Sequence, residues 1–143
     1  MPIVTERIES VKAGIVGAGA FAIAQTVSMI AKTTIANLIP IYSTTVTTMN
    51  WELLLQIAIG AVSGFLFGVT YRYIIRGDRN FHLNDGAVLA FGLVRGLALV
   101  ESNLIFSELL PALFIVIQSV ICFAIARFIL DLAIDNKLIE PFI

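Results

Sequence analysis

Arg95 is the residue whose type and position first demand chemistry. It stands nine residues past Gly86 in an apolar run, about 14 Å along a helix at 1.5 Å per residue. An arginine at that depth is expensive, and its guanidinium calls for acceptors such as an amide, freed backbone carbonyls, or the carbonyl of a lipid or pigment. Ser63 and Gln118 fall at a similar depth and are the candidate polar company. Glu101 lies six positions on, a poor fit to the same helical face. The competing reading is a structural hydrogen-bond hub whose head snorkels toward the membrane edge. A second set, Asp78, His82 and Asp85, would align on a helix as metal ligands might, although metal sites use closer and more numerous His or Cys ligands. His82 is also a candidate ligand for the magnesium of a chlorophyll at the membrane edge, or a solvated loop histidine. The lone Cys122 sits in an apolar run and reads as a small buried residue. No Gly-rich phosphate loop, nucleophile beside a base, or pair of membrane carboxylates occurs, so no catalytic residue is assigned. The chain is expected not to be an enzyme, and to require no cofactor, with chlorophyll, carotenoid or lipid as possible ligands.

The elements that must position these residues are membrane spans. Of 143 residues, 59% are hydrophobic and 13% charged, with a mean hydropathy of +0.97. A typical soluble domain is about a quarter charged, so the composition is that of an integral membrane protein. The net charge of -1 hides an uneven placement of Lys and Arg, and no basic face exists to suit a nucleic acid. The pattern predicts an all-α membrane protein, a single domain over 1–143 with four transmembrane helices at about 13–31, 53–75, 86–101 and 109–130. Residues 1–10 read as a solvated arm and 32–50, with Pro40 and a Thr-rich tract, as the longest loop and a candidate partner surface. A signal peptide is the rival reading of the first span, but its n-region is not strongly basic and the apolar run is too long. Asn84 or Asp85 is the expected cap of the third helix. The first two and the last two spans can pair as hairpins.

Two signals organise the interior. Gly60, Gly64 and Gly68 on the second span, and Gly92 and Gly96 on the third, recur every four residues, which keeps each set on one face and lets helices touch closely. They serve packing within the bundle, docking onto another subunit, or both. The middle loop carries Arg72, Arg76 and Arg79 beside Tyr71 and Tyr73, read as anchors against anionic lipid headgroups. Arg7, Lys12, these three, Arg127 and Lys137 fall on one side and Lys32 alone on the other. The positive-inside rule then puts both termini and the middle loop on the cytoplasmic side, or the stromal side in a plastid.

From this loop into the third span, Tyr71-Arg72-Tyr73, Arg76-Gly77-Asp78-Arg79-Asn80, Leu83-Asn84-Asp85-Gly86, Ala90-Phe91-Gly92 and Arg95-Gly96-Leu97 follow one another. Together they resemble a family of small, little-characterised four-helix membrane proteins of cyanobacteria and chloroplasts. The resemblance covers about a fifth of the chain. It implies a thylakoid location and a role near the photosynthetic complexes, and it carries no activity and no binding residues. The expectation is a non-enzymatic accessory subunit or assembly factor that docks through its glycine-lined faces onto a larger photosynthetic membrane complex. The alternatives are a small oligomeric transporter or channel using Arg95, and a membrane protein that binds pigment, quinone or lipid.

Overall fold

The computed structural model describes residues 3–38, 51–75, 80–102 and 109–141. These form four α-helices and no strand: α1 (Ile3–Leu38), α2 (Trp51–Ile74), α3 (Phe81–Ser102) and α4 (Leu109–Asp135). All four are long and apolar enough to cross a membrane, as the hydropathy predicts. The protein is an all-α integral membrane protein.

The helices exceed the apolar runs that announced them. α1 has 36 residues, about 54 Å, so the N-terminal arm is helical from Ile3 onward and so is the expected loop region as far as Leu38. Polar residues in the end turns of a helix lower hydropathy without breaking the backbone ladder, so the helices extend past their apolar runs. α3 likewise begins at Phe81 rather than Gly86. Its cap is Asn80, whose Oδ1 accepts the backbone N–H of His82 at 3.2 Å, while Asn84 and Asp85 lie inside the helix. The tract at 39–50, including Pro40, lies outside the described residues.

Size sorts the side chains. The interior is built from alanine, glycine and rings, with Ala13, Ala20, Ala24, Ala87 and Ala126 buried. Branched aliphatics such as Ile15, Ile23, Val62, Leu97 and Ile121 face outward. Lipid tails solvate Ile and Leu as well as a core does, so close packing decides what goes inside. At the centre one ring from each helix meets the others. Phe67 of α2 lies 5.2 Å from Phe123 of α4 and 5.4 Å from Phe91 of α3, and Phe21 of α1 lies 4.6 Å from Phe123.

α1 packs on α2 and α3 on α4, as the hairpin reading expects, and α1 joins the pairs by lying against α4. α2 and α3 scarcely touch. That sparse contact opens the groove described below.

The chain ends with a turn that closes one end of the bundle. Lys137 takes φ 58°, the left-handed conformation more usual for glycine. Leu138 N–H then donates to the Ala133 carbonyl at 2.9 Å and Lys137 N–H to that of Ile134 at 3.0 Å, the paired bonds of a Schellman motif. The turn sends Ile139 into the core and Glu140 across the ends of α1 and α2.

Candidate intramembrane binding site

The α1–α2 contact is an antiparallel ladder with a step of four. A Cβ added at Gly68 would meet the Ala13 backbone and, at 3.2 Å, the Gly14 Cα; one at Gly64 would meet Gly17 and Phe21; one at Gly60 would meet Gln25 and Phe21. Each step of four toward the start of α2 is answered by a step of four along α1 toward its end. Gly92 and Gly96 do the same on the other pair, each lying against the backbone of α4 at Val120 and Val116. All five glycines are thus engaged inside the fold, where any side chain would strike backbone or packed neighbours. Of the two uses expected of these glycines, packing within the bundle engages all five, in two helix pairs.

The ladder ends at a polar centre. Arg95 has a relative exposure of 9%. With α3 starting at Phe81 its Cα lies about 21 Å from that end and about 10 Å from Ser102. Its guanidinium stacks over Phe21 of α1, 5.1 Å from the ring centre, and Nη1 donates a long 3.4 Å hydrogen bond to Ser63 Oγ of α2. No carboxylate pairs with it among the described residues. Gly60 leaves the space in which Gln25 Oε1 sits, and Arg95 Nη2 lies 3.2 Å from the point a Gly60 Cβ would occupy. Gln25 Oε1 is itself buried without a hydrogen-bond donor, as is Ser119 Oγ on α4.

Ser63 is therefore the expected partner that the fold delivers, and Gln118 is not. Val116 and Val120 are the residues of α4 turned toward α3, and Gln118 stands two positions from each, some 200° round the helix. Gln25 takes the place given to it. Its signal was present in the chain: extending the α1 row Ala13, Gly17 and Phe21 by four reaches Gln25, but only pairing α1 with α2 reveals that this row matters.

Arg95 also lines a groove of about 640 Å³ between α2 and α3. The rest of its wall is apolar but for Ser63, with Ile59 and Leu66 on α2, Ala90 and Val94 on α3, and the ring of Phe123 at the back. Ile59, Leu66 and Val94 are exposed on its rims, so it opens sideways toward lipid. Its volume falls within the range of small-molecule pockets.

Arg72 has a different place from the one its sequence neighbourhood suggests. It is no headgroup anchor: at 1% exposure it is fully buried. Nε donates to the Glu140 carbonyl at 2.9 Å, and Nη1 to the Glu6 carbonyl at 3.1 Å and to Ser10 Oγ at 2.7 Å. Glu9 Oε2 accepts the Glu140 N–H at 3.1 Å alongside, and its other oxygen pairs with Lys12 at 2.6 Å. Glu9 and Ser10, placed in a solvated arm by sequence, are buried here. The start of α1, the end of α2 and the C-terminal turn thus lie at one end of the bundle. Arg76 and Arg79 lie outside the described residues, as does Asp78.

At the same end Tyr71 is buried and donates to Asp131 Oδ1 at 2.7 Å. Arg127 reaches Asp131 at 3.6 Å and also pairs with Asp85, which ties α4 to α3. Arg127 and Asp131, four apart on α4, thus belong to an interhelical chain with Asp85 and Tyr71. His82 is exposed in the first turn of α3, and its candidate companion Asp85 is engaged by Arg127. Cys122 is buried as expected, with its sulfur 3.7 Å from Ser28 Oγ.

What fold and site define is a four-helix integral membrane protein with a buried arginine facing a lateral groove. Comparison with family models, curated proteins and solved structures finds no match for the chain.

Proposed function

We propose that this protein is a non-enzymatic membrane subunit whose task is to hold an apolar molecule with a hydrogen-bond acceptor in the groove between α2 and α3. The observation that carries the reading is Arg95, a buried guanidinium on the groove wall with one long hydrogen bond and no carboxylate partner among the described residues. A buried cation without acceptors costs several kcal/mol, and a ligand carbonyl or anion offsets that cost.

The sequence resemblance implies a thylakoid setting for such a subunit, as an accessory or assembly protein beside a photosynthetic complex. The candidate ligands there are lipid, quinone, carotenoid or chlorophyll. With its glycines engaged internally, docking onto a complex falls to the outer aliphatic faces or to the groove. The excess of basic residues at the end that carries the termini orients that end toward the cytoplasm or stroma.

The test is purification in mild detergent, followed by a native gel, an absorption spectrum and mass spectrometry of an organic extract. A stoichiometric apolar molecule is expected with the wild-type protein and is lost from Arg95→Leu. A colourless preparation that yields only bulk lipid, equally in both proteins, overturns the proposal.

A further inference from the structure

We infer that the molecule held in the groove is a single-chain, long-chain carboxylate whose head pairs with Arg95. This rests on the groove reading above and names its ligand class.

Charge supplies the first argument. Arg95 has no acid partner among the described residues, and the ring of Phe21 and the hydroxyl of Ser63 supply no negative charge. A neutral carbonyl satisfies one N–H and leaves the cation buried, whereas an anion cancels the charge as well. Geometry supplies the second. A guanidinium is a planar fork that matches the two oxygens of a carboxylate, whereas the Ser63 hydroxyl donates to the Ile59 carbonyl at 2.8 Å and meets Arg95 only as a long acceptor. One guanidinium suits a monoanion. A phosphate lipid would bring more oxygens than its fork serves, and would carry two chains.

The neighbouring glutamine supplies the third. Gln25 Oε1 is buried with no donor, close to Arg95 Nη2 across Gly60. An amide is neutral and Gln25 does not line the groove, so it leaves the charge on Arg95 to be met by a ligand anion. The walls do the rest: Ile59, Leu66, Val94 and Phe91 offer hydrocarbon along the groove and no second charge. The occupant therefore has one acidic head and one apolar tail.

The full-length protein in phosphatidylcholine nanodiscs is titrated with [1-13C]palmitate, and the carboxyl resonance is followed by NMR. A saturable bound signal of one palmitate per chain is expected. Arg95→Leu is expected to weaken it at least about tenfold, the equivalent of a lost charge-assisted pair of about 1.4 kcal/mol or more. Arg95→Lys, which keeps the charge but not the fork, retains part of the binding and shows that the site survives substitution. Methyl palmitate competes poorly, and Leu66→Trp, which fills the groove away from the arginine, removes binding of acid and ester alike. If the ester competes as well as the acid and Arg95→Leu binds palmitate like the wild type, the carboxylate assignment is overturned while the groove reading stands. If Leu66→Trp changes binding of neither, the groove reading falls with it. Displacement of palmitate by equimolar phosphatidylglycerol makes a two-chain phosphate lipid the occupant and overturns the single-chain assignment.

Discussion

Arg72 and Arg95 are both buried arginines, and they differ in the supply of acceptors around them. Arg72 stands in the last turn of α2, where the start of α1 and the returning C-terminal turn bring two backbone carbonyls and a serine hydroxyl within 3.1 Å. Arg95 stands where four helices have satisfied their own carbonyls, and finds one hydroxyl at 3.4 Å and the face of a ring. The turn beyond α4 brings in the Glu140 carbonyl from outside any helix ladder, whereas the middle of a helix has no carbonyl to spare. The same side chain is therefore a staple at one level of the bundle and an open receptor at another.

That contrast predicts opposite signs on removal. Arg72→Leu strands the Glu140 carbonyl, while the Glu6 carbonyl keeps the Ser10 hydroxyl at 3.0 Å. Thermal unfolding in detergent, followed by circular dichroism, is expected to show a loss of about 1–3 kcal/mol, the cost of one buried group left unsatisfied. The released C-terminal turn also becomes open to carboxypeptidase. A small effect would place Arg72 among ordinary surface arginines and end the comparison.

Arg95→Leu in ligand-free protein is expected to leave stability unchanged or raise it by about 1 kcal/mol, because an apolar residue replaces a charge that the fold barely compensates. The same melt reads it, and a loss as large as that of Arg72→Leu would mean that Arg95 is a structural hub. The smallest effect concerns the turn that carries Glu140 to Arg72. Lys137 adopts a left-handed conformation that glycine takes without a Cβ penalty. Lys137→Gly is thus expected to gain up to about 1 kcal/mol in wild-type protein, and less in the Arg72→Leu background, where the turn has lost its anchor. Equal gains in both would uncouple turn from arginine.

Much of this architecture is readable from composition and spacing, because in a membrane each helix must satisfy its own backbone and show an apolar surface. Four spans, the pairing of neighbours as hairpins and the glycine rows follow from that constraint. The ends of the helices do not, since polar end turns such as His82-Leu83-Asn84-Asp85 continue the backbone ladder while looking like loop. Nor does the fate of Arg72, whose arginine-rich neighbourhood has the character of a headgroup anchor until Glu140 arrives from the far end of the chain.

By itself the sequence determined that this chain crosses the membrane four times, that Gly60, Gly64 and Gly68 mark a contact face, and that Arg95 is out of place in hydrocarbon. Local hydropathy and a period of four are properties of a segment, so a segment suffices to show them. Only the tertiary structure decided that all five glycines are spent within the bundle, that Gln25 rather than Gln118 stands near Arg95, and that α2 and α3 part to leave a groove beside it. Those facts depend on which helices touch, and contact between distant segments is set by how small residues and rings fit together in three dimensions.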